Sequence, residues 1–300
     1  MKITTTGSLG NIGKPLVRDL VQNGHHVTVI SSDAKKQEEI ETLAANAAIG
    51  KLEDAGFLAA AFTGSDAVFV MEPPVDFFDH QLDITAYYSK LGHNFVSAIT
   101  QSGVKRVVHL SSIGGHTDKG TGILHFHHLV ETILKGLPSE IALTHVRPLA
   151  FYYNLEGFIP AIKNTGLISA NYGGDDVIAW VSPVDIAAVV AEELTSPTVN
   201  QKIRYVVSDE LTCNETAGIL GAAIGKPDLK WIVISDEEMQ TRLVRIGMAP
   251  DLAAGLTEMN AAMHSGKLFE DYYRNKPKAF GKVKMTDYAV EFQKAYNSKN

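Results

Sequence analysis

Three glycines at fixed intervals constrain this chain more than any other feature. Thr6-Gly7-Ser8-Leu9-Gly10-Asn11-Ile12-Gly13 follows Lys2–Thr6, which reads as a strand, and precedes a helical pattern through Leu16, Leu20 and Val21. Asn23-Gly24 ends that helix, and His26–Ile30 reads as a second strand. In such a strand–turn–helix unit Gly7 permits the tight turn, and Gly10 lets a pyrophosphate approach the backbone. Gly13 lets the helix pack against the strand. The unpaired N–H groups and the dipole at the helix start favour phosphate oxygens. Gly7, Ser8, Leu9, Gly10, Asn11 and Ile12 are therefore candidate dinucleotide contacts. The alternative is a glycine-rich connector that binds nothing.

The next stretch keeps alternating short apolar runs with helical segments, the pattern of a parallel sheet built from βαβ units. A short strand is expected near Ala47–Ile49, and Ala67–Met71 is apolar throughout, as for a strand buried on both faces. Pro73-Pro74 stops it. A long helix is expected over about Phe78–Gln101, a strand at Arg106–Leu110, a helix over Gly122–Lys135 and a strand at Ala142–Val146. After Pro148 the rhythm changes. Ile178–Val181 and Lys202–Val207 read as strands flanking a helix from Pro183 to Leu194, and helices dominate the rest. The expected fold is α/β: a Rossmann-type doubly wound parallel sheet with a smaller, mostly helical C-terminal lobe. Residues 1–150 form the dinucleotide-binding core, with about 178–207 returning to it, and 151–300 are mainly the substrate-side lobe.

Composition narrows the partners. The 300 residues carry a formal charge of −7, with 45% hydrophobic and 20% charged residues. Lys35-Lys36 and Lys105-Arg106 are isolated pairs, so no basic patch suits nucleic acid. The lone Cys213 excludes internal disulfides and thiolate metal clusters. No signal peptide and no membrane-spanning run is evident, and a cytoplasmic location is expected.

Several stretches resemble the short-chain dehydrogenase/reductase superfamily, specifically its atypical NmrA-like branch with triphenylmethane-reductase-like and quinone-reductase-like proteins. Besides the Thr-Gly-x-x-Gly-x-x-Gly turn they are Gly50–Asp54, Gly64–Val70, Val104–Ser112, Arg147–Asn154 and Val184–Ala187. They follow the branch's order over roughly two-thirds of the chain. The resemblance implies an NAD(P)-binding fold. It sets Leu52 beside the adenine, although Lys51 departs from the usual acid before it, and lays Met71, Glu72 and Pro73 along the ribose and diphosphate. Ser111 falls at a central strand's carboxyl end, on cofactor or as a turn cap, and Pro148 and Phe151 fall against the carboxamide.

The end of the second strand bears on cofactor choice. An acid there accepts the ribose hydroxyls of NAD, while a cation pairs with the 2′-phosphate of NADP. The sequence offers Ser31, Ser32 and Asp33, then Lys35 and Lys36. Ser32 and Lys36 favour NADP(H), with NAD(H) as the alternative. The lysines read almost equally well as a solvated helical turn, and Asp33 as a helix cap.

Typical members of the superfamily use a Tyr and, four residues on, a Lys that lowers its pKa. Here His127 falls at the Tyr position and Glu131 at the Lys position, a pattern similar to that of the NmrA-like branch. Glu131, on the same helix face, would orient the ribose or the imidazole. His127 would face the nicotinamide. The structural alternative is a partly buried His with Glu131 paired to Lys135. His125 and His128 share a face but no carboxylate completes a metal set, so no metal is expected. The resemblance also brings Tyr152, Tyr153 and Asn154 to the substrate. Tyr153 joins His127 and Glu131 as a catalytic candidate, and Ser112, Tyr152 and Asn154 are substrate candidates. Met248, Met259, Met263, Leu268 and Phe269 would close the site or form the lobe's own core. Two functions follow. One is an NAD(P)H-dependent reductase of a quinone, dye or other conjugated small-molecule acceptor, working without the Tyr–Lys pair. The other is a non-catalytic NAD(P)-binding redox sensor acting on a protein partner, with a homodimer a further option.

Overall fold

A computed structural model describes residues 1–196 and 202–298. The first half alternates strand and helix: β1 (Lys2–Thr5), α1 (Gly13–Gln22), β2 (His26–Ser31), α2 (Gln37–Thr42), β3 (Asn46–Ile49), α3 (Ala55–Phe62), β4 (Ala67–Met71), α4 (Ile84–Ser102), β5 (Arg106–Leu110), α5 (His125–Leu134) and β6 (Ala142–Pro148). The second half adds β7 (Ala150–Phe151), α6 (Ile159–Thr165), β8 (Leu167–Ala170), β9 (Val177–Val181), α7 (Pro183–Thr195), β10 (Lys202–Val206), β11 (Asp209–Thr212) and α8 (Cys213–Ala223). It ends with β12 (Lys230–Val233), α9 (Asp236–Arg245), α10 (Pro250–His264), α11 (Glu270–Arg274) and α12 (Met285–Ser298).

Seven strands form one parallel sheet in the order β10-β6-β5-β4-β1-β2-β3. This is the doubly wound arrangement expected from the sequence. The order reverses between β1 and β4, which opens a crevice at their carboxyl ends where ligands collect in such sheets. Successive residues of β4 serve opposite faces, as strand geometry requires. Val68 and Val70 pack with Leu58, Phe62, Leu91, Phe95 and Val130 of α3, α4 and α5, while Phe69 joins Leu16, Leu20 and Val190 of α1 and α7. The uninterrupted apolar run is thus the signature of a strand covered on both sides.

β10 pairs with β6 at the sheet edge, whereas β9 leaves that sheet and lies between β7 and β11 in a three-stranded one. β8 and β12 pair separately. Residues 197–201, inside the 178–207 stretch expected to return to the core, lie outside the described residues. Asp185, from the Val184–Ala187 motif, is buried on α7. Its carboxylate accepts the Ser208 hydroxyl at 2.7 Å and the Lys282 and Val283 amides at 2.9 and 3.1 Å. It straps the segment before α12 to the core. Among the described residues no helix is long and apolar enough to cross a membrane.

The helix expected from Phe78 begins only at Ile84. Asp76 and Asp79 each accept a backbone N–H two residues on, at 2.9 Å, and Asp83 caps α4 by accepting from Ala86. Such local carboxylate turns compete with helix formation. The freed segment packs against the lobe instead. The Ala249 amide donates to the Phe77 carbonyl at 3.0 Å, and Phe77 and Leu82 cover Leu243, Met248 and Leu252.

α10 rests on the turn just before α5 through Gly255 and Gly122. Gly122 has φ +54°, and a methyl group on it would overlap the Gly255 carbonyl oxygen. Gly218 in α8 has no neighbour within 4 Å of an added methyl and no unusual φ. Gly122→Ala is therefore expected to destabilise the protein by about 2–3 kcal/mol. Gly218→Ala should stabilise it by roughly 0.5–1 kcal/mol through helix propensity. Chemical denaturation of both variants checks the opposite signs.

Candidate active site

The glycine turn is held from three sides. The Thr6 amide donates to Phe69 O at 2.9 Å, and the Met71 amide donates to the Thr6 hydroxyl at 2.9 Å. Ser8 donates its amide to Ile30 O at 3.2 Å and its hydroxyl to Ser31 Oγ at 3.0 Å. β4 and β2 thus fix the turn between them. Gly7 has φ +85° and no room for a side chain beside the Met71 sulfur. Ser8 also has positive φ, +52°, an uncommon state for a residue with a Cβ. Gly13 is needed for a different reason from the one expected. A methyl there would overlap the carbonyl oxygen of Ser8, within the turn itself. Gly10 keeps its outer side open: its nearest neighbour, Gly7 O, would be 3.5 Å from an added methyl. Ile12 supplies no side-chain cap to α1. The Lys14 and Leu16 amides donate to Gly10 O and Ile12 O at 3.0 and 3.1 Å and Pro15 has no N–H, so Gly13 is the first-turn N–H left for a phosphate oxygen. An open Gly10 beside an uncapped helix start fits a dinucleotide pyrophosphate.

At the end of β2, Ser31 is buried and its hydroxyl accepts the Asp33 amide at 3.2 Å. Asp33 caps the following turn, accepting the Lys35 amide at 3.0 Å. Ser32 is exposed. Lys36 does not stand free, since its ammonium lies 2.8 Å from Glu39. Leu52 is half-buried and its carbonyl accepts from Asn94 Nδ2 at 3.1 Å.

Beyond β4 the structure shows a row that the sequence reading did not assemble. Glu72, His109 and His145, from three adjacent strands, lie side by side on the α4–α5 face. Glu72 Oε1 is 3.0 Å from His109 Nε2, and His109 Nδ1 is 2.9 Å from His145 Nδ1. Burial alone would raise the Glu72 carboxyl, but the charge and hydrogen bond of His109 hold it below the usual carboxylate range, aided by His127. Glu72, expected to lie along the cofactor through its backbone, turns its side chain into this buried row. Met71 and Pro73 are half-buried at the crevice, with the Pro73 carbonyl taken by the Tyr88 hydroxyl at 2.9 Å. Burial drives His145 down to about 3, with His109 adding to the effect.

On α5, His127 is half-buried against the Phe126 ring, with Nδ1 shut away and unpartnered. Burial lowers it to about 4, against the opposing pull of Glu72. It is a neutral imidazole near pH 7. Glu131 is fully buried and both oxygens are engaged. Oε1 accepts Ser111 Oγ at 2.6 Å and Arg147 Nε at 2.8 Å, while Oε2 accepts Arg147 Nη2 at 2.6 Å. Burial pushes this carboxyl up, but Arg147 outweighs it, with His145 and Ser111 contributing, and holds it at about 2. Two expectations change. Glu131 pairs with Arg147 rather than Lys135, and both of its oxygens already accept hydrogen bonds inside the protein. Ser111 is buried against Glu131 rather than presented to a ligand. Arg147 also donates to Tyr205 OH at 3.2 Å and Asp271 Oδ2 at 3.1 Å, which ties α11 to the core.

The Arg147–Asn154 segment splits its side chains. Tyr152 is buried, donates to Asp209 Oδ2 at 3.0 Å and stacks on Tyr288, so it belongs to the lobe core and not to a substrate surface. Tyr153 points the other way. Burial raises it to about 12, tempered by the neighbouring Asn11 side chain of the glycine turn, and its ring stacks on Phe151 at 5.1 Å. Asn154 is exposed and Ser112 half-buried. Pro148 is buried, its carbonyl accepting the Ile113 amide at 3.0 Å. Met248, Met263, Leu268 and Phe269 are core residues, with Met259 partly buried against them. The structure thus gathers Gly7–Ile12, Met71, Pro73, Ser112, His127, Phe151 and Tyr153 at the carboxyl edge of the sheet. Only the long-range contacts of β5 and β6 could have revealed the Glu72 row.

The model of the NmrA-like family matches residues 1–289. The chain is 30% identical over 260 residues, 86% of each protein, to the NAD(P)H azoreductase of Xenophilus azovorans. It is 27% identical over 231 residues to a (4-alkanoyl-5-oxo-2,5-dihydrofuran-3-yl)methyl phosphate reductase of Streptomyces griseus, covering 75% of this chain and 74% of that one. The fold is similar to an NADPH complex of an NADPH-dependent quinone oxidoreductase from Escherichia coli, with TM-score 0.80, 19% identity, and 96% and 99% of the two chains covered. It is also similar to the Citrobacter sp. triphenylmethane reductase with NADP(H), with TM-score 0.78, 21% identity and the same coverage.

The depressed histidines give a stability profile with a definite sign. His145 and His127 bind protons more readily in the unfolded chain, so stability is intact above about pH 6.5 and falls as pH drops toward 4, by about 1.4 kcal/mol per unit for each such group. His145→Leu should flatten that slope in melts at pH 7.5, 6 and 5; an unchanged slope would assign the proton uptake elsewhere. Glu131→Gln should cost about 3–5 kcal/mol at pH 7.5, because Arg147 is left buried without its counter-charge.

Proposed function

Because the chain belongs to the NmrA-like family, we propose that it is an oxidoreductase that uses NADPH, in preference to NADH, to reduce conjugated small molecules such as azo compounds, quinones or cationic dyes. The supporting observation is the open, uncapped glycine turn with Tyr153 and Phe151 stacked beside it. The names of relatives, which run from azoreductase to quinone oxidoreductase to triphenylmethane reductase, agree with such acceptors.

When bound, the nicotinamide supplies the hydride. The chain supplies position and shape. The turn's amides other than those of Ser8 and Gly10, which bond within the protein, hold the phosphates, and the Phe151–Tyr153 pair offers an aromatic wall to a flat acceptor. His127 contributes a neutral hydrogen-bonding ring. Glu131 contributes no proton, because Arg147 and Ser111 consume both oxygens. A site without a strong acid suits acceptors whose conjugation stabilises the charge left by hydride addition. A cationic triarylmethane dye needs the hydride alone. A quinone or an azo bond needs a proton as well, and water provides it.

One observation favours a second reading. The positions of the usual acid and its helper hold a shielded imidazole and a locked carboxylate, the state expected of a dinucleotide-binding sensor that reports redox state to a protein partner.

Steady NADPH oxidation with a panel of quinones, azo compounds and triarylmethane dyes separates the two. Turnover with at least one class is expected; tight NADPH binding without any turnover would leave the sensor. His127→Ala should lower turnover about 10-fold with NADPH affinity nearly unchanged, measured by quenching of protein fluorescence. Unchanged turnover would reduce His127 to a packing role.

A further inference from the structure

Three charges meet where the glycine turn and the end of β2 come together. Lys14, the second residue of α1, and Lys36, just past β2, each place an ammonium 2.8 Å from a different oxygen of Glu39 on α2. In sheets of this topology the adenosine ribose is read at this edge. Resting on the dinucleotide reading above, we propose that Glu39 sets the choice between NADP and NAD by competing with a ribose 2′-phosphate for Lys14 and Lys36.

The exposure of the three side chains makes competition feasible. Lys14, Lys36 and Glu39 are 40%, 43% and 36% exposed, so a ligand can reach all of them. Ion pairs this open contribute little net stability and are readily exchanged. A 2′-phosphate brings more negative charge than one carboxylate, and three oxygens rather than two. It displaces Glu39 at the cost of two weak pairs and the repulsion of the carboxylate that remains nearby. A ribose hydroxyl carries no charge and leaves the cluster intact, or donates to Glu39. The same cluster therefore accepts both cofactors and discriminates less than two free lysines would.

The other acid at this edge cannot play the part. Asp33 is spent on the Lys35 amide. Ser31 is tied to Ser8 and to the Asp33 backbone. Ser32 is exposed and supplies a hydroxyl but no charge. Glu39 is ionised throughout the neutral range, since hydrogen bonds from Lys14 and then Lys36 hold its carboxyl at about 2. The carboxylate side of the competition is thus fixed, while the 2′-phosphate gains its second charge at about pH 6. The phosphate therefore competes better at pH 7.5 than at pH 5, and the competition depends on salt.

The test uses the cofactor fragments 2′,5′-ADP and 5′-AMP, titrated calorimetrically into the full chain. The native protein should bind 2′,5′-ADP no more than about 10-fold more tightly than 5′-AMP. Glu39→Gln should tighten 2′,5′-ADP about 10-fold and change 5′-AMP less than twofold. Adding Lys14→Met or Lys36→Met to Glu39→Gln should reverse most of that gain. An equal fragment ratio in the native protein and Glu39→Gln would overturn the proposal and leave a plain surface ion cluster. If neither fragment nor NADPH bound to a chain with a native melting profile, the dinucleotide reading itself would fall, and this inference with it.

Discussion

The Glu131–Arg147 pair is the interaction on which the rest of the structure leans. Stripping a carboxylate and a guanidinium of water costs several kcal/mol, and their attraction offsets this only if nearly every lone pair and N–H finds a partner. Here Ser111 fills one side of Glu131, and Tyr205 and Asp271 fill the rest of Arg147. The partners come from β5, α5, β6, β10 and the lobe helix α11. Gly115 is glycine for the same reason, since a side chain there would press on the Glu131 and Ser111 oxygens. A single buried pair thus determines how the last sheet strand, the helix bearing His127 and the C-terminal lobe meet.

That cost has a chemical consequence. A helix position that could have presented a cation or acid to a cofactor is given over to holding the architecture together. Near pH 7 the imidazole four residues earlier is shielded and neutral. On the function proposed above, hydride chemistry in such a site would depend on the acceptor's own electronic reserve. A saturated ketone, whose alkoxide needs an immediate proton, is poorly served, while an extended π-system is not.

The sheet was legible in the sequence because its signals are local. A glycine turn between a strand and a helix, and an apolar run ended by prolines, each constrain only a few neighbouring residues. What escaped was long-range or depended on side-chain direction. Nothing near Glu72 announces that His109 and His145 lie beside it, because the row exists only once β4, β5 and β6 are in register. Tyr152 and Tyr153 read alike as an aromatic pair, yet one lines the lobe core and the other faces the turn. The Lys36–Glu39 pair is three residues apart and local; what the sequence does not reveal is that Lys14, on another helix, reaches the same carboxylate. The start of α4 was placed early because the Asp76 and Asp79 turns imitate helix caps, and only Asp83 serves as one.

The strap on Asp185 has a consequence for synthesis. The sheet is seeded by β1, but its far edge, β10, follows more than fifty residues after β6, and the groups that close Asp185 and Arg147 come from residues 271 to 283. Contacts of such sequence separation form late. A chain emerging from the ribosome carries its glycine turn for most of its translation while Asp185 and Arg147 still lack those late partners. Products stopped short of that last segment keep the nucleotide-binding motif and the Glu131–Arg147 pair, but Asp185 and Arg147 lose the partners that come from residues 271 to 283, so such products are less stable than the full chain.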